Sequence, residues 1–290
     1  MTVQEPVATR QGTTYVLLPV HDRRAITELF VRSLLDQDDQ GFHLVLVDDG
    51  STDGTADSVV AMLPGVTILK GDGTWWWAGS LQQANRWLAE RDPGPNDLVL
   101  IANDDTRFDA DFLAAGRTAL AGRPRSLLLA QLYAGDTGEF IELGVHVNWR
   151  RLKFKSVKDP DRVNCFSTRG LFMAATDFLE LGGFHPRLLP HYLSDYEFTI
   201  RAHRRGFALI SDSGVRLWYD PTATGIRSVA QTSIRAYLRS TLTKRSVHNP
   251  IWWSTFVLLA SPRVWLPVNL YRVWRRFLKG LLRARGGTRR

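Results

Sequence analysis

Apolar runs of strand length alternate with stretches of helical spacing along the first half of the chain. Five runs predict β-strands: 14–20, 43–47, 66–69, 97–102 and 126–132. Between them, apolar residues recur at helical spacing in four stretches: 22–35, 51–63, 80–90 and 109–120. Strands that alternate with helices favour an α/β fold, in which helices cover both faces of a mostly parallel sheet.

Acidic side chains follow three of these strands. Within three residues of a strand's end come, in chain order, Asp48, Asp49, Asp72, Asp104 and Asp105. Ligands of open α/β sheets bind beyond the carboxyl ends of the strands, where these residues are expected to gather. Asp is also a common turn residue. Several carboxylates at one edge nevertheless repel one another unless a cation, such as a divalent metal, lies among them.

Two motifs and a longer segment carry a resemblance to a known family. VDDGSTDGT (47–55) and NDD (103–105) each follow a predicted strand. The segment 170–207 contains a glycine-led strand, a short helix, Gly-Gly-Phe and an acid that heads a helix. Together they resemble inverting glycosyltransferases of family 2 with the GT-A fold, over residues 13–215. The resemblance implies a Rossmann-like, mostly parallel sheet with flanking helices, and sugar transfer from a nucleotide-diphosphate donor.

The resemblance also implies roles for residues on the donor side. Pro19 and His21 would border the nucleotide base, and Asp49 would form a hydrogen bond with the base or ribose. Asp72 would make another nucleotide contact, and Asp104 would lie beside the ribose or the metal.

Asp105 matches the last acid of the family's metal-binding motif and would hold Mg²⁺ or Mn²⁺ against the diphosphate. Asn103 stands where a strict Asp-x-Asp motif has its first acid. A metal at this position would neutralise the charge that develops on the leaving diphosphate. His248, within KRSVHNP, is open to two interpretations, a further metal ligand or a surface histidine.

Asp195 falls where the family places its catalytic base. Inverting transfer needs one carboxylate, which takes the proton of the acceptor hydroxyl as that oxygen attacks the anomeric carbon. Glu197 is the competitor, but it lies two residues on in a predicted helix and so points elsewhere. Apart from the resemblance, Asp195 is also a plausible helix N-terminal acid favoured by the helix dipole.

Three consecutive tryptophans stand in GDGTWWWAGS (71–80), after the third predicted strand. They either plug the space between loop and sheet or form a wall for a sugar ring. We expect one in the core and at least one in the sugar pocket, and we assign Trp76, Trp77 and His191 to that sugar and acceptor pocket. The segment also resembles bacterial rhamnosyltransferase-like members of the family, which implies a donor such as dTDP-rhamnose, with UDP-sugars equally compatible.

Charge divides the chain unevenly. No Asp or Glu follows Asp220, whereas residues 221–290 contain 14 of the 37 Lys and Arg residues. The segment 267–285 predicts a basic amphipathic helix whose apolar stripe comprises Leu270, Tyr271, Trp274, Phe277, Leu278, Leu281 and Leu282. Residues 251–285 are therefore expected to contact an anionic membrane, although the helix could instead pack on its own domain. The apolar run 251–262 is too short to span a bilayer.

These patterns predict a disordered lead at 1–12, a GT-A domain at 13–225 and a C-terminal helical, amphipathic tail at 226–290. The predicted protein is a cytoplasmic enzyme, peripheral on the inner face of the cell membrane, that glycosylates a lipid-linked or polysaccharide acceptor. Nucleic acid is not expected as a partner, because the body is acidic and the sequence shows no nucleic-acid-binding module. Two alternatives remain: a non-catalytic, sugar-binding scaffold subunit of a polysaccharide assembly, and a nucleotidyltransferase, whose glycine-rich phosphate loop has no counterpart in PVHDRRA.

Overall fold

The computed structural model describes residues 12–219, 233–244 and 246–286, with side chains up to residue 284. Within these residues the strands are β1 Thr14–Val20, β2 Phe42–Asp48, β3 Thr67–Lys70, β4 Leu98–Ile101, β5 Thr106–Arg107, β6 Ser126–Ala134, β7 Phe140–Glu142, β8 Gly144–Asn148, β9 Lys153–Val157, β10 Leu171–Ala174 and β11 Ala208–Tyr219. The α-helices are α1 Arg24–Leu35, α2 Thr55–Met62, α3 Trp76–Ala89, α4 Phe112–Leu120, α5 Ala175–Leu181, α6 Ser194–Arg204, α7 Ile234–Thr241, α8 Pro250–Ala260 and α9 Leu266–Gly286.

One large mixed sheet organises the described part of the chain. Its strand order is β3-β2-β1-β4-β10-β6-β11-β5, and β7 pairs with β6. Strands β3, β2, β1 and β4 are mutually parallel, and β6 pairs in parallel with β11, whereas β10 runs antiparallel to both β4 and β6. The predicted α/β fold with a mostly parallel sheet is therefore confirmed.

Both faces of the central strands are buried, which is why their sequences are almost continuously apolar. In β1, Val16 and Leu18 pack into the cluster beneath α1, α2 and α4. Leu17 points to the opposite face and joins the cluster beneath α3, α5 and α6. The two-residue period of a strand thus divides one apolar run between two cores.

A third apolar cluster joins the C-terminal helices to the body. It contains Val145 from the β8–β9 hairpin, Ile200 from α6, Phe256 from α8 and Val273 from α9. The helix that carries Asp195 is therefore packed, through one continuous cluster, against the elements that the sequence assigned to a separate tail.

The helix α3 begins earlier than its predicted range of 80–90. It starts at Trp76, so the second and third tryptophans lie in its first turn and not in a loop. The cause is a long-range contact of Asp49 described below, which periodicity does not reveal.

The amphipathic stripe predicted for 267–285 is split in the structure. Three of its members, Leu270, Phe277 and Leu281, are half-buried, whereas Tyr271, Trp274, Leu278 and Leu282 are exposed. The helix α9 thus packs on its own domain along one edge and presents apolar side chains along another. None of the described helices is both long enough and apolar enough to cross a bilayer.

The predicted domain boundaries fall where the structure gives no description. All but the last residue of the lead at 1–12, and the boundary between 225 and 226, lie outside the described residues. The three domain ranges stay predictions.

Candidate active site

The acidic tips of the strands meet at one edge of the sheet. Strands β3, β2, β1 and β4 are adjacent and parallel, so their carboxyl ends lie side by side. This edge presents the loops that carry Asp49, Asp72 and Asp105. The structure therefore brings together the predicted donor-side segments, as the topology of an open α/β sheet requires.

Asp49 organises the loop that carries the tryptophans. Its carboxylate accepts hydrogen bonds from the backbone N–H groups of Gly73 at 2.9 Å, Trp75 at 3.2 Å and Trp76 at 2.8 Å. The two loops approach so closely that a Cβ on Gly71 would lie 2.6 Å from the carboxylate oxygen of Asp49. These bonds satisfy donors at the start of α3 that have no partner within the helix. The sequence did not reveal this role, and the predicted nucleotide contact of Asp49 stays a prediction.

The substitution Asp49→Asn is expected to lower the free energy of unfolding by about 1–3 kcal/mol. An asparagine keeps one acceptor oxygen and turns an N–H₂ group towards a backbone N–H, so at least one bond at the start of α3 is lost. Urea unfolding followed by tryptophan fluorescence measures the change. Asp72→Asn is the control, because Asp72 is exposed and bonds only its neighbour Thr74. Equal stability of the two variants would contradict this role of Asp49.

The loop after β1 is fastened to the same edge. The carbonyl of Asp49 accepts a hydrogen bond from Nδ1 of His21 at 2.7 Å, which leaves Nε2 of the ring facing outward near Asp22. Asp22 in turn accepts the backbone N–H of Thr52 at 2.7 Å. Pro19 lies half-buried in β1, two residues before His21. Pro19 and His21 are thus positioned at the edge, and their base contacts stay predictions.

Asp104 and Asp105 follow β4 but face different partners. Asp104 is buried, and its Oδ2 accepts hydrogen bonds from Arg23 Nε at 2.9 Å and from Thr27 Oγ1 at 3.1 Å. Burial raises the pKa of Asp104, and the Arg23 guanidinium opposes that rise. The carboxylate therefore ties the end of β4 to α1, a contact that the sequence did not predict, and its nucleotide role stays a prediction.

One carboxylate oxygen of Asp105 is suited to bind a metal ion. Its side chain is 9% exposed, and among the described residues its Oδ1 is buried without a hydrogen-bond partner. A buried carboxylate oxygen without a partner costs free energy unless a cation reaches it. No group of three or more His, Cys, Asp or Glu side chains suited to a metal occurs within the described ranges. Mg²⁺ commonly uses only one or two carboxylates together with substrate phosphates and water, so a single protein ligand fits such a site.

Asp195 lies at the start of α6, in the second residue of the helix. Its Oδ1 accepts the backbone N–H of Tyr196 at 2.9 Å. Burial raises the pKa of Asp195 to about 6, while this hydrogen bond and the charge of Arg169 act in the opposite direction. A carboxyl group with a pKa near 6 is ionised at neutral pH and is a stronger base than an ordinary aspartate, as general base catalysis requires.

Glu197, the competitor, has a structural partner. It is 4% exposed, and its carboxylate binds Arg201 on the next turn of α6 through two hydrogen bonds, 2.8 and 3.2 Å long. Arg201 also donates to the carbonyls of Leu181 and Gly183. The pair fixes α6 on the loop after α5, so Glu197 is occupied and Asp195 remains the base candidate.

The substitution Glu197→Gln is expected to lower the free energy of unfolding by about 3–5 kcal/mol, because it leaves Arg201, whose side chain is only 15% exposed, without its counter-charge. Urea unfolding at pH 7 gives the value. Glu180→Gln is the matched control, because Glu180 pairs with Arg125 in the open, where such a pair contributes about 1 kcal/mol or less. If both substitutions lower the free energy of unfolding by the same amount, the interpretation of Glu197 as a structural residue is wrong.

The three tryptophans have different neighbours. Trp75 and Trp77 are half-buried and pack against the core cluster beneath α3. Trp76 instead meets the ring of His191 edge-on, with centroids 5.6 Å apart. A hydrogen bond from Ala78 N–H to the carbonyl of Pro190 holds the two segments together. The structure thus places Trp76 beside His191, which lies four residues before Asp195. Trp77 faces the core. The sugar contacts of all three stay predictions.

Three residues in or next to the candidate site have a strained backbone. Asp22, Trp76 and Leu193 are non-glycine residues with φ values of 50°, 57° and 70°. Such conformations cost about 1–3 kcal/mol each and persist where the surroundings hold them in place, often at functional sites. Trp76 is itself a predicted site residue, Asp22 follows His21, and Leu193 lies two residues from both His191 and Asp195.

Sequence reasoning missed a charged group beside Asp195. The guanidinium of Arg169 lies 4.2 Å from the ring centroid of Tyr219. Burial raises the pKa of both Asp195 and Glu142, and the charge of Arg169 opposes that rise in each. Burial dominates for Glu142 and raises its pKa, while a hydrogen bond from Ser156 opposes the rise. Only the position of Arg169 just before the glycine-led strand could have drawn notice to it.

A pocket of about 270 Å³ opens beside the strand edge, at the ends of β2 and β3. Its walls come from the 48–57 segment together with Lys70 and Gly71. Neither Asp105 nor Asp195 lines it, so this pocket lies beside the predicted donor segments and away from the candidate base.

Part of the chain matches a known protein family. The model of the family described as Glycosyl transferase family 2 matches residues 15–178, more than half of the 290-residue chain. The chain belongs to glycosyltransferase family 2. The match covers the whole acidic strand edge and ends before α6, so it includes Asp49 and Asp105 but not Asp195. No curated protein matches this glycosyltransferase.

Solved glycosyltransferases share its fold. The mannosyltransferase PcManGT from Pyrobaculum calidifontis, in complex with GDP-Man and Mn²⁺, is 15% identical with a TM-score of 0.51, over 97% of this chain and 88% of that one. GalNAc-T7 with UDP, GalNAc and Mn²⁺ is 10% identical with a TM-score of 0.61, over 93% of this chain but only 57% of that one. TarS from S. aureus in complex with UDP is 16% identical with a TM-score of 0.55, over 92% and 72%. At these identities the likeness shows the GT-A fold alone.

Proposed function

We propose that this glycosyltransferase transfers a sugar, with inversion, from a dTDP- or UDP-sugar to a lipid-linked or polysaccharide acceptor. The observation that carries the proposal is the placement of Asp195. This carboxyl group has a pKa of about 6 and heads α6, four residues after His191, whose ring contacts Trp76. The segment that contains it is hydrogen-bonded to the start of α3, which Asp49 fixes to the strand edge.

In the proposed reaction one bond forms as another breaks. The acceptor hydroxyl oxygen attacks the anomeric carbon, and the bond from that carbon to the diphosphate oxygen breaks with its electron pair. Asp195 accepts the hydroxyl proton through its carboxylate. Trp76 and His191 form the wall against which the sugar packs, and Trp77 supports that wall from beneath.

The donor is held at the edge of the sheet. Pro19, His21 and Asp49 border the nucleotide, with Asp72 and Asp104 as its further contacts. A divalent metal, Mg²⁺ or Mn²⁺, held by Asp105 and the diphosphate would neutralise the charge of the leaving group. The unpartnered Oδ1 of Asp105 supports this assignment, as does the presence of Mn²⁺ in PcManGT and GalNAc-T7.

We place the protein on the cytoplasmic, inner face of the cell membrane, in polysaccharide synthesis for the cell envelope. The exposed apolar residues of α9 and the absence of acids after Asp220 support contact with an anionic surface. A donor such as dTDP-rhamnose follows from the resemblance of the tryptophan segment.

A panel of thermal-shift measurements tests the donor proposal. UDP, dTDP and GDP are each added with Mn²⁺, Mg²⁺ or a chelator. At a hundred times the dissociation constant, a bound nucleotide adds about 2.7 kcal/mol, so one nucleotide should raise Tm by roughly 5–8 °C, and only with metal. If no nucleotide changes Tm under any condition, the donor proposal falls and a non-catalytic, sugar-binding subunit is the better account.

A further inference from the structure

The β8–β9 turn and α9 enclose a basic pocket that the transfer reaction does not use. The pocket has a volume of about 200 Å³ and is lined by Arg151 from the turn and by Arg272, Arg275, Arg276 and Lys279 from α9. No carboxylate lines it, and none of the five forms a salt bridge within the described part of the chain.

Two of these arginines are held in place. Arg276 donates a hydrogen bond to the carbonyl of Leu152 at 3.2 Å, which joins α9 to the hairpin turn. Arg272 donates to Oδ1 of the buried Asn269 at 3.0 Å. Five like charges around one small pocket repel one another, and a multivalent anion would relieve that repulsion. Guanidinium groups bind phosphate oxygens with paired hydrogen bonds, so phosphate is the anion that this lining favours.

The same helix presents an apolar edge beside the pocket. Tyr271 and Leu282 are each 65% exposed, and Trp274 and Leu278 lie between them on α9. Val264, just before the helix, is 74% exposed. A surface that offers phosphate-binding cations next to exposed aliphatic and aromatic side chains matches an amphiphile, whose phosphate and acyl chains lie side by side.

We infer that the basic pocket binds the phosphate headgroup of an anionic membrane lipid while the exposed edge of α9 enters the acyl region. This inference deepens the membrane contact of the proposed function and rests on it for its cellular setting. The cluster that joins Val273 to Ile200 of α6 then connects the lipid-bound helix to the helix of Asp195. Lipid binding would therefore hold the candidate base at a fixed orientation to the membrane, where a lipid-linked acceptor is presented.

Co-sedimentation of the full chain with vesicles tests the pocket. Vesicles of phosphatidylcholine alone are compared with vesicles that also contain phosphatidylglycerol. The pocket variant is Arg275→Gln with Lys279→Gln, neither of which donates a hydrogen bond in the described structure. The control is Arg263→Gln with Arg283→Gln, which removes the same charge from exposed positions outside the pocket. The wild type should bind only the anionic vesicles strongly. We expect the pocket variant to bind them at least about 10-fold more weakly and the control at most about threefold more weakly.

Three results would overturn the inference. If the wild-type protein does not sediment with anionic vesicles, the pocket is not a lipid site. Equal losses in the two double variants would mean diffuse attraction of a charged surface, with no pocket. If inorganic phosphate stabilises the wild type but not the pocket variant, and vesicles do not bind, the pocket serves a soluble phosphate. The nucleotide panel is run without vesicles and the sedimentation without nucleotide, so failure of the lipid site and failure of the donor site are seen separately.

Discussion

Asp195→Asn is expected to lower the rate of sugar transfer at saturating donor by about 10²–10⁴-fold, the contribution of a positioned general base. Asparagine keeps the shape of the side chain and cannot accept the hydroxyl proton. Donor binding should change by less than about twofold, because the assigned donor contacts lie at the strand edge and not on α6. Release of nucleoside diphosphate gives the rate, and the thermal shift with nucleotide and metal gives the binding.

The pH profile supplies an independent signature of the same group. Because burial raises the pKa of Asp195 to about 6, the base is protonated and inactive below that pH and ionised above it. The value of kcat/KM should therefore fall as pH drops through about 6, with the upper plateau reached near neutral pH. A profile that stays flat down to pH 5 would assign the proton transfer to another group.

Stability separates loss of the base from loss of the fold. Because the pKa of Asp195 is raised in the folded state, its ionisation opposes folding. This cost grows as pH rises from about 4, the pKa in the unfolded chain, to about 6 and stays constant above that. Asp195→Asn should then hold or raise Tm at pH 7, and the difference should vanish below pH 4, where the group is protonated in both states. An inactive variant with a strongly lowered Tm would not support the catalytic assignment.

Asp105→Ala is expected to abolish the metal-dependent part of nucleotide binding. The substitution removes the carboxylate oxygen that is buried without a partner, and with it the proposed protein ligand of the metal. The wild-type Tm rise of roughly 5–8 °C with nucleotide and Mn²⁺ should disappear, and transfer should fall with it. The apo protein should lose little stability, because the side chain satisfies no other group at that oxygen.

Asp111→Asn is the control for the change of charge. Asp111 is an exposed carboxylate just before α4 and makes no capping hydrogen bond. It should retain the full nucleotide shift. If Asp105→Ala keeps the wild-type Tm rise with nucleotide and Mn²⁺, Asp105 is not the metal ligand.

The elements of the sheet were predictable because they depend on neighbouring residues. The apolar run of β1 is long, continuous and bounded by polar residues, and strand β2 with its acidic tip repeats that pattern. Parallel neighbours then bring Asp49 and Asp105 to the same edge without any further information. Asp195, in contrast, was found only through the resemblance, since an acid at the start of a helix is common for purely local reasons.

What sequence missed depends on contacts between distant residues. The early start of α3 follows from Asp49, whose carboxylate reaches Trp76, 27 residues along the chain. The resemblance implied a donor-side role for Asp104, which stays a prediction, and no local pattern reveals its bond to Arg23, 81 residues away. The apolar stripe of α9 was drawn as one face, but packing against Tyr237 covers Phe277 and leaves Tyr271 exposed. In each case contacts between distant residues fix the structure, and the spacing of apolar residues along the chain does not reveal them.

We propose that the donor diphosphate binds between Asp105 and Asp195, and a crystal grown with Mn²⁺ and the preferred nucleoside diphosphate tests this placement most directly. Anomalous scattering identifies the metal without reference to the protein. We expect one Mn²⁺ bound by Asp105 and by diphosphate oxygens, with the terminal phosphate facing Asp195 and Trp76. A nucleotide bound elsewhere, or a metal that leaves Asp105 without contact, would contradict it.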